Sequence, residues 1–476
     1  MSAQTADCRP RVLGTRDVVL LYAIAIVSLQ WLSTAAQIGP ASLLLWLLAM
    51  LVFFVPSGLA AMELSSRHAG DGGLYLWVRH AFGDLHGFIA GWCYVVSNLV
   101  FFPTLLLFIA GTAGQAAAAT WPGLRDSLPF NAAVALLVLW TAVGVNLVGL
   151  KVARRVTNGC ALLMGAVLAV LVVAACVSTW RHGSATVFAG HLLPDFGDAA
   201  LVKSFATMMF ALVGLELAPL MGSEIREPRR VIPRAILAAG ALIAVFYLLG
   251  TASLLMALPK EQIGSIAGIA DAVGTIAGRL GVPWAGALLS LLMALASVGV
   301  LTAWVAGSAR LPFVVGIDRH LPAALGRLHP RWGTPHVALL ASGAITTLLV
   351  LLALAGSTVG DAYQLLVDMT VALTFIPIGY MFVVLPVRRG GTGNAGADVL
   401  RVPGGPVGVG LVATLGLAST SVAVGCALVP PAGADAAVFY AKVLGGCAAF
   451  IGLGLALFVR GGARAPRRLQ RRTRPA

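Results

Sequence analysis

From Val18 onward the chain is a succession of apolar runs about as long as a membrane is thick, separated by short arginine-bearing stretches. A helix that crosses a bilayer needs about 20 mostly apolar residues. Twelve such runs are expected, near 17–39, 42–64, 86–112, 131–150, 156–179, 202–223, 234–258, 282–309, 335–356, 362–386, 406–429 and 437–459. The strands of a membrane barrel would be about 10 residues long and alternating, which is not the pattern here. The chain is 59% hydrophobic and 11% charged, against roughly 25% charged in a soluble domain. No single core could hide so much apolar surface, so the fold class expected is an all-α polytopic membrane protein.

The net charge of +14 would suit a nucleic-acid binder, but its placement is that of a topology signal. Only Arg125, Arg181, Lys203, Lys260, Arg279 and Lys442 fall on one side of the expected membrane; the rest of the 32 basic residues fall on the other or in the two termini. Positive charge collects on the cytoplasmic side, so both termini are expected there, in a cell membrane, with the basic residues near anionic headgroups. Basic patches interleaved with aromatics are absent, and no nucleic-acid partner is expected. The first run is long and followed at once by another, which marks a first span and not a cleaved signal. Of Cys8, Cys93, Cys160, Cys176, Cys426 and Cys447, five sit in apolar runs and none forms a CxxC pair. They read as inert buried thiols, with no metal and no cofactor implied.

Two connectors carry more than a turn. Residues 65–85 follow the second span and 259–281 follow the seventh, and both are semi-polar with helical character. That spacing fits spans 1–5 (17–180) and 6–10 (200–390) as an inverted repeat. Residues 1–16 are then a cytoplasmic tail, 17–390 the core, 406–459 two added helices and 460–476 a basic tail.

The sixth span, FALVGLELAPL, contains Gly214, Glu216 and Pro219; the first has a polar, small-residue middle from Gln30 to Gln37. These are matching repeat positions, and a pair of interrupted spans is the best sequence pointer to a transport site. An unwound turn frees N–H and C=O groups that are costly in lipid, and a bound zwitterion satisfies both. A half-helix starting around Ser33, Thr34 and Ala35 would offer amides and a positive dipole end to a carboxylate. A half-helix ending near Phe210 and Ala211 would offer carbonyls to an ammonium. Gly214 permits the break, or alternatively close helix packing. Glu216 is a proton-coupling candidate, because intramembrane acids are functional by default, or a cap on a freed amide.

Four stretches resemble the amino acid–polyamine–organocation superfamily of permeases. They are Glu63-Leu64 with Gly72-Gly73-x-Tyr75-x-Trp77-Val78 and Phe82-Gly83; Phe210-x-x-x-Gly214-x-Glu216 with Glu224-Ile225-x-x-Pro228-Arg229-Arg230-x-Ile232-Pro233; Ala309-Arg310 with Asp318-Arg319-x-Leu321-Pro322 and Gly333-Thr334-Pro335; and Tyr380-Met381-Phe382. The resemblance implies a LeuT-type fold of five plus five inverted helices with two more at the C-terminus, alternating access, and a substrate held by the two breaks. It also implies Asn98 and Trp304 as site-facing residues, where core packing or interhelical hydrogen bonding would be the plainer roles.

The chain departs from the pattern in places. Leu32-Ser33-Thr34-Ala35 has no glycine and looks closer to the glutamate/γ-aminobutyrate exchanger branch. Ala69 stands where a proline is usual, and Met164 lies near the position of a lysine found in some members, so no lysine can stand in for sodium.

The function expected is a secondary transporter of amino acids or related amines, by proton symport or exchange. The alternatives are a polyamine or other organocation transporter of the same fold, with Asp368 as a second acid beside Glu216, or a non-transporting nutrient sensor. No HExxH, GxSxG or acid–His cluster lies on a span, which argues against an enzyme. Monomer and homodimer are left open.

Overall fold

The computed structural model describes residues 12–67, 72–117, 120–121, 123–317, 320–355, 359–389, 400–430 and 435–463. Cys8, Ala69, Asp318, Arg319 and the basic tail beyond Ala463 lie outside the described residues. Among those described there is no strand, only an isolated parallel bridge between Leu13 and Ile225.

The helices run in order as α1 (Thr15–Ile26), α2 (Leu29–Ala36), α3 (Ala41–Ala49), α4 (Val55–Arg67), α5 (Gly73–Phe82) and α6 (Asp84–Ala116). Then come α7 (Leu128–Val148), α8 (Leu150–His182), α9 (Ala199–Ala211), α10 (Pro228–Ala257), α11 (Gly268–Arg279) and α12 (Pro283–Ser308). The chain ends with α13 (Arg310–Ile317), α14 (His336–Ala355), α15 (Val359–Arg389), α16 (Gly405–Ala427) and α17 (Ala436–Ala463). Ten helical segments among the described residues are long and apolar enough to cross a membrane, eleven if the bent pair α1 and α2 counts as one span.

The expected runs are therefore helical, but not as twelve continuous helices. The first is split into α1 and α2, bent by 42°. The sixth is helical only to Ala211, after which residues 212–220 are irregular chain and turns. The second contains a π turn at Met50–Phe54, where Val55 N–H reaches back to the Met50 carbonyl. Pro56 follows at once; it has no N–H to continue the ordinary ladder.

Both semi-polar connectors hold a helix, α5 and α11. They lie at opposite ends of the bundle, because α4 runs toward α5 at the end where the chain starts, and α10 runs from that end to α11. α5 packs against the irregular chain after α9. A Cβ on Gly73, whose φ is +34°, would lie 3.1 Å from the Pro219 carbonyl carbon and 3.2 Å from Leu220 N, so a side chain there would crowd the backbone it faces.

α6 is the central element, its most apolar stretch entirely buried. It packs against α12, α15, α5 and α7. The outer helices, such as α8 and α17, are mostly exposed along their apolar faces, as expected of surfaces that meet lipid. Cys93, Cys426 and Cys447 are buried and Cys160 half-buried, but Cys176 is exposed on α8, a correction to the reading of five buried thiols.

Candidate functional site: two unwound turns beside a buried cavity

The break in the first span falls at Val27–Ser28, about a turn and a half before the stretch from which it was expected. Val27 (φ −72°, ψ 115°) and Ser28 (φ −138°, ψ 129°) are both extended. A β-branched residue favours that conformation, and no positive φ is needed, so the break forms without glycine. Ser28 provides no side-chain cap, and the first amides of α2, at Leu29 and Gln30, have no partner within their own helix. Ser33, Thr34 and Ala35 lie further along α2. Ser33 is buried and accepts a hydrogen bond from Ile269 N–H at 3.0 Å, so it fastens α2 to α11.

The second break follows the expectation more closely. α9 ends at Ala211, and Gly214 has φ +140°, a region that L side chains rarely enter. A Cβ there would lie 2.7 Å from Ile26 Cγ1 and 3.5 Å from Trp304 Cζ2. Both readings of Gly214 are met: it sits at a break and at a close approach, and what it approaches is the other break.

Glu216 is 3% exposed. Its Oε2 accepts from Gly214 N–H and its Oε1 from the Tyr94 hydroxyl, each at 3.1 Å. The carboxylate thus caps an amide freed by its own break and ties it to α6.

Four carbonyls at the breaks are approached by side-chain donors. Trp304 Nε1 donates to the Ala25 carbonyl at 2.8 Å. Tyr22 donates to Leu215 at 3.0 Å. The Tyr247 hydroxyl lies 2.6 Å from the Ile26 carbonyl and 3.1 Å from that of Ala211.

Between the breaks lies a cavity lined by Tyr94, Asn98, Phe101, Phe210, Trp304 and Thr374, with Ser97. Asn98, Phe210 and Trp304, three residues expected from the sequence, meet here. Ser33, Thr34 and Ala35 do not line it. Trp31 stands behind Phe210 in a T-shaped contact, with ring centroids 5.4 Å apart, and Phe101 packs edge-on to both Phe210 and Trp304 at 5.8 Å. Asn98 donates to the Tyr94 carbonyl at 2.7 Å, within its own helix, so it does not glue helices together. Its Oδ1 is buried and finds no partner among the described residues.

The sequence reading missed Tyr94 and Phe101, although they share the face of α6 that carries Asn98, four residues before and three after it. Space for water-sized contents is only ≈ 10 Å³, about the least that admits one molecule. The rings must part before anything larger enters.

Side-chain and backbone contacts tie the elements together at both ends of the bundle. At the α5 end, Leu13 pairs with the chain at Glu224 and Ile225, Asp17 accepts from Asn158 at 2.8 Å and pairs with Arg154 at 3.2 Å. Arg310 grips Glu224 at 2.7 Å and 3.3 Å, so the second and third motif stretches are bound to each other by a buried ion pair. At the α11 end, Gln37 donates to the Ile263 carbonyl at 2.7 Å, and Lys203 pairs with Asp368 at 2.9 Å. Lys203, expected in a connector, is on α9, and Asp368 is its counterion and not a second free acid.

Known proteins fit this geometry. Residues 13–450 match the family described as amino acid permease. A transporter of Legionella pneumophila that has no assigned substrate is 27% identical over 88% of this chain and 90% of its own. A probable agmatine/putrescine antiporter of Lactococcus lactis is 24% identical over 67% of each. A branched-chain amino acid permease of Bacillus subtilis is 22% identical over 84% of this chain and 85% of its own. Broken spans that face each other across a buried, aromatic-lined cavity, together with a family match over nearly the whole length, make this chain a member of the amino acid permease family, a membrane transporter and not an enzyme.

Proposed function

We propose that the protein moves an amino acid or related amine across the cell membrane by alternating access, with the substrate held between the breaks at Val27–Ser28 and Leu212–Gly214. The single observation that carries this reading is the meeting of Asn98, Phe210 and Trp304 in one cavity that both breaks adjoin. The uncapped start of α2 would take the carboxylate, in place of the Ser33 to Ala35 stretch. The end of α9 would take the ammonium. The twelve-crossing LeuT-type arrangement, with residues 212–224 completing the sixth crossing and both termini in the cytoplasm, is part of this proposal. The positions of α5 and α11 after the second and seventh spans support it.

The cavity lining offers π faces and the unpartnered Asn98 carbonyl oxygen, and no cationic side chain. This favours substrates with neutral or cationic side chains over glutamate, against the likeness to the glutamate/γ-aminobutyrate branch. The Bacillus subtilis and Lactococcus lactis relatives are named for a branched-chain amino acid and for agmatine and putrescine, which span that range. Proton symport through Glu216 and pure exchange remain the two coupling schemes. Counterflow of labelled L-leucine, L-arginine, L-glutamate, γ-aminobutyrate, putrescine and agmatine in proteoliposomes tests the proposal. Accumulation of at least one probe, with glutamate poorest, is expected; no counterflow of any amino acid or amine contradicts it.

A further inference from the structure

Tyr247 belongs to α10, outside either broken span, yet its hydroxyl sits between the two breaks. The side chain is completely buried. Its ring stacks on Trp46 of α3, centroids 4.1 Å apart and planes at 17°. Trp46 is held in turn by its N–H to Thr251 Oγ1 at 3.0 Å. Two continuous spans therefore aim the hydroxyl. Its oxygen lies 2.6 Å from the carbonyl of Ile26, the last residue of α1, and 3.1 Å from that of Ala211, the last residue of α9. A phenol carries one proton, so the two carbonyls share a single donor.

We propose that Tyr247 is a positioning residue that couples the two breaks, holding the Ile26 and Ala211 carbonyls at one point so that neither turn rearranges without releasing the other. The proposal rests on reading the breaks as the transport site. Trp304 donates to the first break alone, and Tyr22, itself on α1, donates to the second alone; the Tyr247 hydroxyl, from outside both broken spans, lies within hydrogen-bond distance of a carbonyl of each. Because one proton serves two acceptors, a substrate ammonium that arrives with three donors can relieve the shared carbonyl, so loading the site and loosening the strap become one event.

The test begins without ligand. Hydrogen–deuterium exchange of the purified full-length protein is followed in the segments 22–31 and 206–217 for wild type, Tyr247→Phe and Tyr22→Phe. Phenylalanine keeps the stack on Trp46 and removes only the hydroxyl. Tyr247→Phe is expected to raise exchange about fivefold in both segments, the equivalent of about 1 kcal/mol for one hydrogen bond. Tyr22→Phe is expected to raise it more in 206–217 than in 22–31. A change in one segment only for Tyr247→Phe, or in neither, overturns the proposal.

If Tyr247→Phe does not fold, Thr251→Val, which removes the acceptor that seats Trp46, should give the same paired rise at smaller amplitude; no paired rise overturns the proposal. The second readout is exchange in proteoliposomes of L-leucine, L-arginine or putrescine, whichever the wild type carries. Tyr247→Phe should raise the maximal rate per folded protein, since a hydrogen bond held in the resting state and released when the turns rearrange adds to the barrier of that step. A maximal rate equal to or below wild type overturns the positioning role. Failure of the wild type to carry any probe would sink the transport reading, and the ligand-free readout would still decide on the strap.

Discussion

Gly214 lies against Ile26 so closely that a Cβ on the glycine would sit 2.7 Å from the isoleucine Cγ1. The second break therefore touches the end of α1 just before the first, and the contact exists only because one partner has no side chain. Gly214→Ala should cost about 1–3 kcal/mol, from a positive φ that alanine resists and from displacement of Ile26. Adding Ile26→Ala should restore the part that is steric and leave the part that is backbone strain. Thermal unfolding in detergent of the two single variants and the double variant measures both; an alanine that melts with the wild type would remove the contact from the account.

Arg310 and Glu224 form a buried bidentate pair at the α5 end, with side chains 8% and 7% exposed. Removing one charge and leaving the other buried is expected to cost about 3–5 kcal/mol. Arg310→Met and Glu224→Gln should each be far less stable than wild type, and the double variant should be more stable than either single one. Additive losses in a double-mutant cycle would show that the two side chains act independently.

Glu216 accepts two hydrogen bonds, from Gly214 N–H and the Tyr94 hydroxyl. Glu216→Gln can keep both contacts, its amide oxygen facing Gly214 and its NH₂ donating to the Tyr94 oxygen. Glu216→Ala leaves a buried amide unpaired, at about 1–3 kcal/mol, and should be clearly less stable than Gln. Transport by wild type and Glu216→Gln, compared across about pH 5 to 8 where poised functional carboxyls work, separates the two roles. If the carboxyl carries a proton, the Gln variant exchanges substrate with a flat pH profile; superimposable profiles reduce Glu216 to a cap.

The proposed topology puts the α11 end outside and the C-terminus inside. A single cysteine at Glu261, an exposed residue just before α11, should react with an impermeant maleimide on intact cells, in a background cleared of native cysteines. One at Ala463 should react only after permeabilisation. The reverse pattern would invert the protein in the membrane.

Ten of the expected runs were legible because crossing a bilayer demands long apolar runs, with boundary errors of up to about six residues; the sixth is helical only over Ala199–Ala211. α5 and α11 were legible as semi-polar stretches between spans. The place of the first break was not, because Val27 and Ser28 reach the extended region with no glycine to announce it. Neither was the role of Tyr22, Tyr247 or Trp304 in holding freed carbonyls: an aromatic on a span looks the same from sequence whether it meets lipid or a broken helix. Lys203 stands at the start of the expected run 202–223, and its pairing with Asp368, 165 residues away, was not legible because the two meet only in the folded bundle. Asn98 and Trp304 came from family likeness alone, and the cavity gives them a common place.

The central claim is that the cavity bounded by Tyr94, Asn98, Phe210 and Trp304 is where substrate sits. Ser97 lines the same space, and Ser97→Phe fills it without touching either break. Equilibrium binding of the probe that shows the strongest wild-type counterflow should be measured on monodisperse Ser97→Phe, with Cys176→Phe on the exposed face of α8 as control. Loss of binding in Ser97→Phe and wild-type affinity in the control are expected; wild-type affinity in folded Ser97→Phe would place the substrate elsewhere.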